Sequence, residues 1–172
     1  MQERKRTTLE YERVKHTFEQ VFDSNSKILI LGSFPSVKSR ENQFFYGHPQ
    51  NRFWKVLAAV MEDEVPQTIE EKKKFLLKHG IAVWDVIAQC DIMGSSDSSI
   101  KNVVPADVSV ILKQAPILKI YTNGGKAQQL YEKYLQSVTG MEAVKLPSTS
   151  PANAAFGMER LVLAWMRIKE RC

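Results

Sequence analysis

The sequence predicts a three-layer α/β/α fold, in which helices cover both faces of a central, mostly parallel sheet of about four strands. Four short apolar runs, each followed by polar or turn-forming residues, have the length of strands buried on both faces. They occupy residues 27–31, 81–84, 117–121 and 143–146. Segments with helical periodicity lie between them, and strands that alternate with helices are typical of a parallel sheet.

Helical segments separate the predicted strands, and we expect them to cover the sheet. They occupy residues 52–61, 69–78, 107–114, 126–136 and 158–169. In the last of these, Leu161, Trp165 and Ile168 fall on one face, which is the spacing of a helix that packs against a core. We predict a further helix at residues 9–22, within a charged segment, residues 1–25, that is loosely attached to the fold.

Composition narrows the class of protein. A chain of 172 residues suits one domain, so we assign residues 1–172 to a single domain. The net charge of +5 favours a polyanionic partner such as nucleic acid. Two cysteines, Cys90 and Cys172, are too few for a disulfide framework or a four-cysteine metal site, so we expect a cytoplasmic protein. Since no apolar run approaches the ~18 residues of a membrane span, we expect no membrane association.

Parallel sheets bind ligands at the carboxyl ends of their strands. In this sequence those ends fall at residues 32–35, 84–86, 122–125 and 147–153. Gly32 follows the first strand directly, and a glycine there lets the backbone approach a ligand closely. We therefore expect the functional site in these four segments.

An aromatic cluster and a turn follow the first strand. The rings of residues 44–46 (FFY) either stack on a nucleic-acid base or fill a core. His48, beside a proline, is interpreted as a turn residue, because the other two histidines lack the spacing of metal ligands. Asn51 precedes an amphipathic helix, and residue chemistry alone favours an N-cap role over a catalytic one.

The second conspicuous segment is residues 146–154 (LPSTSPANA), where a predicted strand leads into a loop of small hydroxyl residues and two prolines. Such a loop is rigid and rich in hydrogen-bonding groups. It either enters a DNA groove or caps the last helix. Residue chemistry alone favours the cap.

Together these motifs resemble the uracil-DNA glycosylase superfamily. Residues 48–56 (HPQNRFWKV) resemble the first motif region of mismatch-specific uracil-DNA glycosylases. The whole pattern, from residues 32–36 (GSFPS) to residues 146–154, more closely resembles the hypoxanthine-DNA, or DNA-deoxyinosine, glycosylase branch. That branch also carries stretches like residues 94–98 (GSSDS) and 122–126 (TNGGK). The resemblance covers residues 27–157, in order and at consistent spacing.

The resemblance implies a monofunctional DNA-repair glycosylase that hydrolyses the N-glycosidic bond of a deaminated base flipped out of DNA, with hypoxanthine favoured. It implies damaged DNA as the partner, a monomer, and no metal or organic cofactor. The iron–sulfur branches of the superfamily are excluded, because their four cysteines are missing. Two alternatives stay open, a mismatch-specific uracil or thymine glycosylase and a non-catalytic nucleic-acid-binding module.

The resemblance also gives individual residues a role. Other members place Asp, Asn or Glu immediately before the first-motif proline, or nearby, to position the attacking water, whereas this chain has Phe34 there. In the hypoxanthine branch the compensating residue matches Asn51, whose carbonyl oxygen is expected to orient the water. Asp85 either accepts a hydrogen bond from the N1–H of hypoxanthine or caps the turn after its strand. Tyr46 is expected to stack on the flipped base.

The implied contacts fall into two groups. The base-binding group, in which backbone N–H groups would hold the O6 or N7 of a purine, consists of Gly32, Ser33, Phe34, Tyr46, Asp85 and Ser148. The DNA-binding group combines a helix start suited to a phosphate with a loop that would wedge into the duplex. Its members are Gly124, Gly125, Lys126, Thr149, Ser150, Pro151 and Asn153.

Overall fold

A computed structural model of the protein describes residues 10–170. In chain order, its strands and helices are β1 (Tyr11–Lys15), β2 (Ile28–Gly32), α1 (Val37–Asn42), α2 (Phe53–Met61), α3 (Ile69–Lys78), β3 (Ile81–Asp85), β4 (Ile87–Met93), β5 (Lys101–Pro105), α4 (Ser109–Gln114), β6 (Lys119–Asn123), α5 (Gly125–Tyr134), α6 (Gln136–Thr139), β7 (Ala143–Leu146) and α7 (Met158–Trp165). Short 3-10 turns lie at Asp97–Ser99 and Met166–Glu170. Within these described residues, no helix has the length and apolar character needed to cross a membrane.

Four parallel strands form the central sheet, in the order β3-β2-β6-β7. β2 lies between β3 and β6, and all five of its residues are buried, as its continuous apolar run predicted. Because side chains alternate along a strand, Ile28 and Ile30 pack on one face of the sheet and Leu29 and Leu31 on the other. The predicted fold class is confirmed.

Helices cover both faces of this sheet. On the face of Ile30, α2, α3 and α7 contribute buried residues that include Phe53, Leu76 and Trp165. The opposite face packs against α4, α5 and a second, smaller sheet. The five helices predicted between residues 52 and 169 agree with the structure apart from their ends, and the one predicted at residues 126–136 corresponds to α5, which ends at Tyr134. Helix α1 was not predicted.

The smaller sheet is antiparallel, in the order β1-β4-β5, and was not predicted. β1 pairs with β4 from Tyr11 opposite Met93 to Lys15 opposite Gln89. The helix predicted at residues 9–22 is therefore wrong where the structure describes it. As a strand, β1 forms backbone hydrogen bonds along one edge of β4. A helix in its place would leave the backbone groups of that edge without partners.

The residues after β1 run along the central sheet. Val21 forms a bridge with Val83 of β3, and the side chains of Phe18 and Val21 are buried in the core. Residues 10–25 are thus attached by strand pairing and packing, contrary to the prediction of loose attachment. Residues 1–9 of that predicted segment lie outside the described part of the chain.

Candidate active site

Two adjoining cavities open where the central strands end. The first, which we call the inner cavity, has a volume of about 320 Å³ and includes the ends of β2 and β3. Of the residues assigned from the sequence, it is lined by Gly32, Ser33, Phe34, Tyr46, Asn51, Asp85, Ser148, Thr149, Ser150 and Pro151. The second, the outer groove, extends to the start of α5 and holds the remaining assigned residues, Gly124, Gly125, Lys126 and Asn153. The structure therefore brings all the assigned residues to one place.

Gly32 marks the point on which two polar side chains converge. A Cβ added at Gly32 would lie 2.5 Å from Asp85 Oδ1 and 2.9 Å from Tyr46 Oη. Carbon atoms do not approach oxygen this closely without displacing it, so a larger residue would push both side chains away. The glycine thus allows a carboxylate and a phenol hydroxyl to reach the same end of the inner cavity.

His16 holds the Asp85 carboxylate, a contact that was not predicted from the sequence. His16 Nε2 lies 2.8 Å from Asp85 Oδ2, and the two side chains are 2% and 4% exposed. The imidazole packs between Phe18 and Trp84, with both ring centroids 4.4 Å from its own. Since His16 directly follows β1, the unexpected strand carries this residue to the site. Asp85 is consequently fixed through Oδ2, while Oδ1 faces Gly32.

Tyr46 stacks on a neighbouring ring rather than standing free. Its ring lies parallel to Phe53, with centroids 3.8 Å apart and an interplanar angle of 17°. One face is thereby covered, so a base can stack only on the other. Burial raises the pKa of Tyr46 above its ordinary range, and the Asp85 charge raises it further, whereas the nearby Asn123 amide acts in the opposite direction. Because its pKa is raised, the hydroxyl keeps its proton. It forms no complete hydrogen bond with Asn123 and is an unpaired buried donor within the described residues.

Asn51 is held through its side-chain oxygen. Oδ1 accepts hydrogen bonds from the Phe53 N–H at 3.0 Å and from the Thr149 hydroxyl at 2.8 Å. The first spans two residues at the entry to α2, whose N-cap position is Arg52, so Asn51 lies one residue before the cap position that the sequence favoured for it. Both lone pairs of Oδ1 are used, so this oxygen does not orient a water as predicted. Nδ2 makes no hydrogen bond to the described residues and is the free end of the side chain.

Thr149 joins three segments of the site. Its hydroxyl donates to Asn51 and accepts from Asn123 Nδ2 at 3.0 Å, and its N–H donates to Asn123 Oδ1 at 3.0 Å. The residue is fully buried, so its side chain fixes Asn51 and Asn123 instead of meeting DNA as the resemblance implied. This buried network determines where the Asn51 amide points.

Arg52 anchors the loop that follows β7. Its guanidinium donates to the carbonyl oxygens of Ser150 at 3.0 Å, Asn153 at 3.1 Å and Phe156. A charged donor that binds several backbone carbonyls holds a loop in one shape. Pro151 and Ala152 are exposed at the tip of this loop, which gives it a small, apolar, rigid end.

The start of α5 packs closely against the same loop. Gly124 has a φ of +98°, and a Cβ there would lie 3.1 Å from Ser148 Cβ, so the position requires glycine. The first N–H groups of a helix have no partners within the helix and favour an anion. α5 spans the ten residues Gly125–Tyr134, and its first turn, with Lys126, lines the outer groove. This arrangement suits a phosphate.

Asp97 is a second carboxylate of the site that was not assigned from the sequence. It lies in the short turn after β4 and lines both the inner cavity and the outer groove. Ser33 Oγ donates a hydrogen bond to Asp97 Oδ1 at 3.0 Å. The stretch at residues 94–98 had been noted only as part of the resemblance.

Metal ligands are not grouped in the part of the chain that the structure describes, since no three His, Cys, Asp or Glu side chains there could share an ion. His48 accepts a hydrogen bond from the Gln50 N–H through Nδ1 at 3.1 Å, as expected of a turn residue. Cys90 is buried as a free thiol, and Cys172 lies outside the described residues.

Known proteins are similar to this chain in sequence and in fold. Residues 19–169 match the family model of the Uracil DNA glycosylase superfamily. A hypoxanthine DNA glycosylase of Methanosarcina acetivorans is 36% identical over 148 residues, which cover 86% of this chain and 93% of that protein. One of Methanosarcina barkeri is 34% identical over 140 residues, 81% of this chain and 88% of that protein. The solution NMR structure of a candidate uracil DNA glycosylase of M. acetivorans superposes with a TM-score of 0.73 at 34% identity, covering 88% and 96% of the two chains.

Proposed function

Because the chain belongs to the uracil DNA glycosylase superfamily, we propose that it is a DNA-repair glycosylase that removes hypoxanthine from DNA and leaves an abasic site. The observation that carries this proposal is the pair of groups at Gly32, where the acceptor Asp85 Oδ1 and the donor Tyr46 Oη converge. The relatives named hypoxanthine DNA glycosylase match most of the chain and support the same base.

This pair of groups complements a deaminated base. Hypoxanthine presents an N1–H donor beside the O6 acceptor, so Asp85 accepts from N1–H while the Tyr46 hydroxyl donates to O6. Adenine has the reverse pattern, an acceptor at N1 and a donor at N6. Its N1 would face the acceptor Asp85, and its 6-amino group would face the donor Tyr46. A site built to hydrogen-bond one pattern rejects the other, because its buried polar groups are left unpaired.

The same edge occurs in uracil and guanine. Uracil offers N3–H beside O4, so the geometry supports its excision as a second activity. Guanine shares N1–H and O6 with hypoxanthine, and its rejection requires a steric barrier to the 2-amino group together with the higher cost of flipping a well-paired base. Hypoxanthine pairs less stably and is therefore extruded at lower cost.

The loop and the groove fit the handling of DNA. A base must leave the duplex to reach a cavity at the sheet edge, at a cost of a few kcal/mol. The rigid tip formed by Pro151 and Ala152, held by Arg52, would fill the space that the base leaves. The start of α5 with Lys126 would bind a flanking phosphate.

The chemistry is hydrolysis through an oxocarbenium-like sugar, so the barrier falls when the leaving base is stabilised and the water is well placed. Donation from Tyr46 to O6 stabilises the electron pair that leaves with the base. Asn51 would position the water through Nδ2, because its Oδ1 is occupied by Phe53 and Thr149.

A panel of duplex oligonucleotides tests the proposal. We expect the wild-type protein to convert hypoxanthine sites to abasic sites fastest and to leave adenine intact. Asp85→Asn should slow hypoxanthine excision about 10- to 100-fold, since a hydrogen bond to a charged group is lost, and should narrow the preference over adenine. Asp107→Asn is the control, because it removes one exposed charge and keeps an oxygen for the Ser109 hydrogen bonds. A wild-type protein that leaves hypoxanthine intact would contradict the proposed function.

A further inference from the structure

The two cavities share one wall. The residues that line both are Asp97, Asn123, Ser148, Ser150 and Ala152. In a nucleotide the sugar connects the base to the phosphate. If the base occupies the inner cavity and the phosphate the outer groove, the sugar lies along this shared wall, and so does its reacting carbon, C1′.

Asp97 supplies the one ionisable side chain among these shared residues. Its Oδ1 accepts from Ser33, while its Oδ2 receives no hydrogen bond from residues 10–170. The residue is accessible from the cavity, yet protein surrounds it closely enough that burial raises the pKa of its carboxyl. The Ser33 hydrogen bond and Lys126 act to lower that pKa, and Asp85 acts to raise it. The carboxylate is thus partly desolvated and has a free oxygen.

We propose that Asp97 is a catalytic carboxylate that accepts a hydrogen bond from the attacking water and faces the cationic sugar. This inference rests on the proposed function. The glycosidic C1′–N bond breaks, and its electron pair leaves with the base. The water oxygen then bonds to C1′, and its proton passes to Asp97 and on to solvent. The departing base anion takes up a proton, so one water is consumed for each base released.

The hydrogen-bond network favours Asp97 as this acceptor. An attacking water must direct a lone pair at C1′ and its protons at acceptors. Asn51 Oδ1 is occupied, and its Nδ2 can only donate. Asn123 Oδ1 and Ser148 Oγ each already accept one hydrogen bond, from the N–H groups of Thr149 and Ser150. Asp97 Oδ2 is the charged acceptor of the shared wall, and it receives no hydrogen bond from the described residues.

A negative charge at this position also favours the transition state. A preorganised charge aimed at the place where opposite charge develops is worth more in a partly desolvated site than in water. A carboxyl whose pKa is raised by folding opposes folding when it is ionised, so the Asp97 carboxylate does not stabilise the fold. We therefore expect Asp97→Asn to leave thermal stability unchanged or raised.

The test combines a rate with a charge-specific affinity. Asp97→Asn keeps an oxygen for Ser33 and should lower single-turnover excision of hypoxanthine ~10²-fold or more, as loss of a transition-state charge interaction does. Binding is measured to duplexes that carry either a protonated pyrrolidine or a neutral tetrahydrofuran analogue of the abasic sugar. We expect the wild-type protein to prefer the cationic analogue, and Asp97→Asn to lose about tenfold or more of that preference.

Two further variants separate the outcomes. Asp107→Asn should keep both the rate and the preference, and Ser33→Ala, which keeps the Asp97 charge, should retain the cation preference. An Asp97→Asn protein that excises at the parental rate, or that loses rate but keeps the cation preference, would overturn the inference. A wild-type protein that fails to excise hypoxanthine in the same assay would instead overturn the proposed function.

Discussion

Replacing Asn51 with alanine is expected to lower single-turnover excision of hypoxanthine by ~10²-fold or more, an increase of ~2.7 kcal/mol in the barrier. The amide Nδ2 is the free end of a side chain that Phe53 and Thr149 hold through Oδ1, so the loss removes a fixed donor to the attacking water. Stability should also fall by ~1 kcal/mol or more, the usual net contribution of a hydrogen bond, since the bonds from the Phe53 N–H and the Thr149 hydroxyl are lost. Rates and unfolding curves are to be measured on the same samples.

Asn51→Asp separates the two roles. A carboxylate keeps an oxygen for Phe53 and Thr149 but has no N–H, so we expect near-parental stability with a reduced rate. If Asn51→Asp excised at the parental rate, the assignment of the water to Nδ2 would be contradicted. If Asn51→Ala did so, the role of Asn51 would be structural alone.

Replacing His16 with phenylalanine is expected to destabilise the fold by ~1–3 kcal/mol, the usual cost of leaving a buried hydrogen-bonding group without its partner. Phenylalanine keeps an aromatic ring beside Phe18 and Trp84, so the loss reports the missing partner of Asp85 rather than a cavity. In a domain of this size that cost corresponds to a fall in Tm of roughly 2–12 °C. The preference for hypoxanthine over adenine should also weaken, since the carboxylate is no longer fixed.

A double-mutant cycle identifies the cause. In an Asp85→Asn background the buried charge is absent, so His16→Phe should cost much less stability than in the wild-type background. Denaturant unfolding of the four proteins gives the coupling. An equal cost in both backgrounds would mean that His16 contributes through packing alone.

Most of the fold could be predicted from the sequence because the central strands are continuous apolar runs. β2 is buried on both faces, and the helices beside it carry regular apolar stripes, so short local patterns decide their structure. β1 and β4 follow a different rule. They are far apart in the sequence, since Arg13 pairs with Asp91, 78 positions later. β4 also begins only two residues after β3 ends. Neither the residue pattern nor the spacing therefore predicts that β4 belongs to a separate sheet.

The position of the candidate site could be predicted from the sequence, because the carboxyl ends of parallel strands lie at the same edge of the sheet. Gly32, Asp85 and the loop after β7 meet there for this reason. His16 was not found, because it reaches Asp85 only through the pairing of β1. Likewise, the orientation of Asn51 depends on Thr149, 98 positions away, and no local pattern contains that contact.

The proposed function is tested most directly by identifying the product released from a duplex that contains one deoxyinosine. Mass spectrometry of the small-molecule fraction, with alkali cleavage of the DNA as a parallel count of abasic sites, measures both halves of the reaction. We expect free hypoxanthine in a one-to-one ratio with abasic sites in an otherwise intact strand. Release of deoxyinosine as a nucleoside or nucleotide, cleavage of the backbone without free base, or no product at all would contradict it.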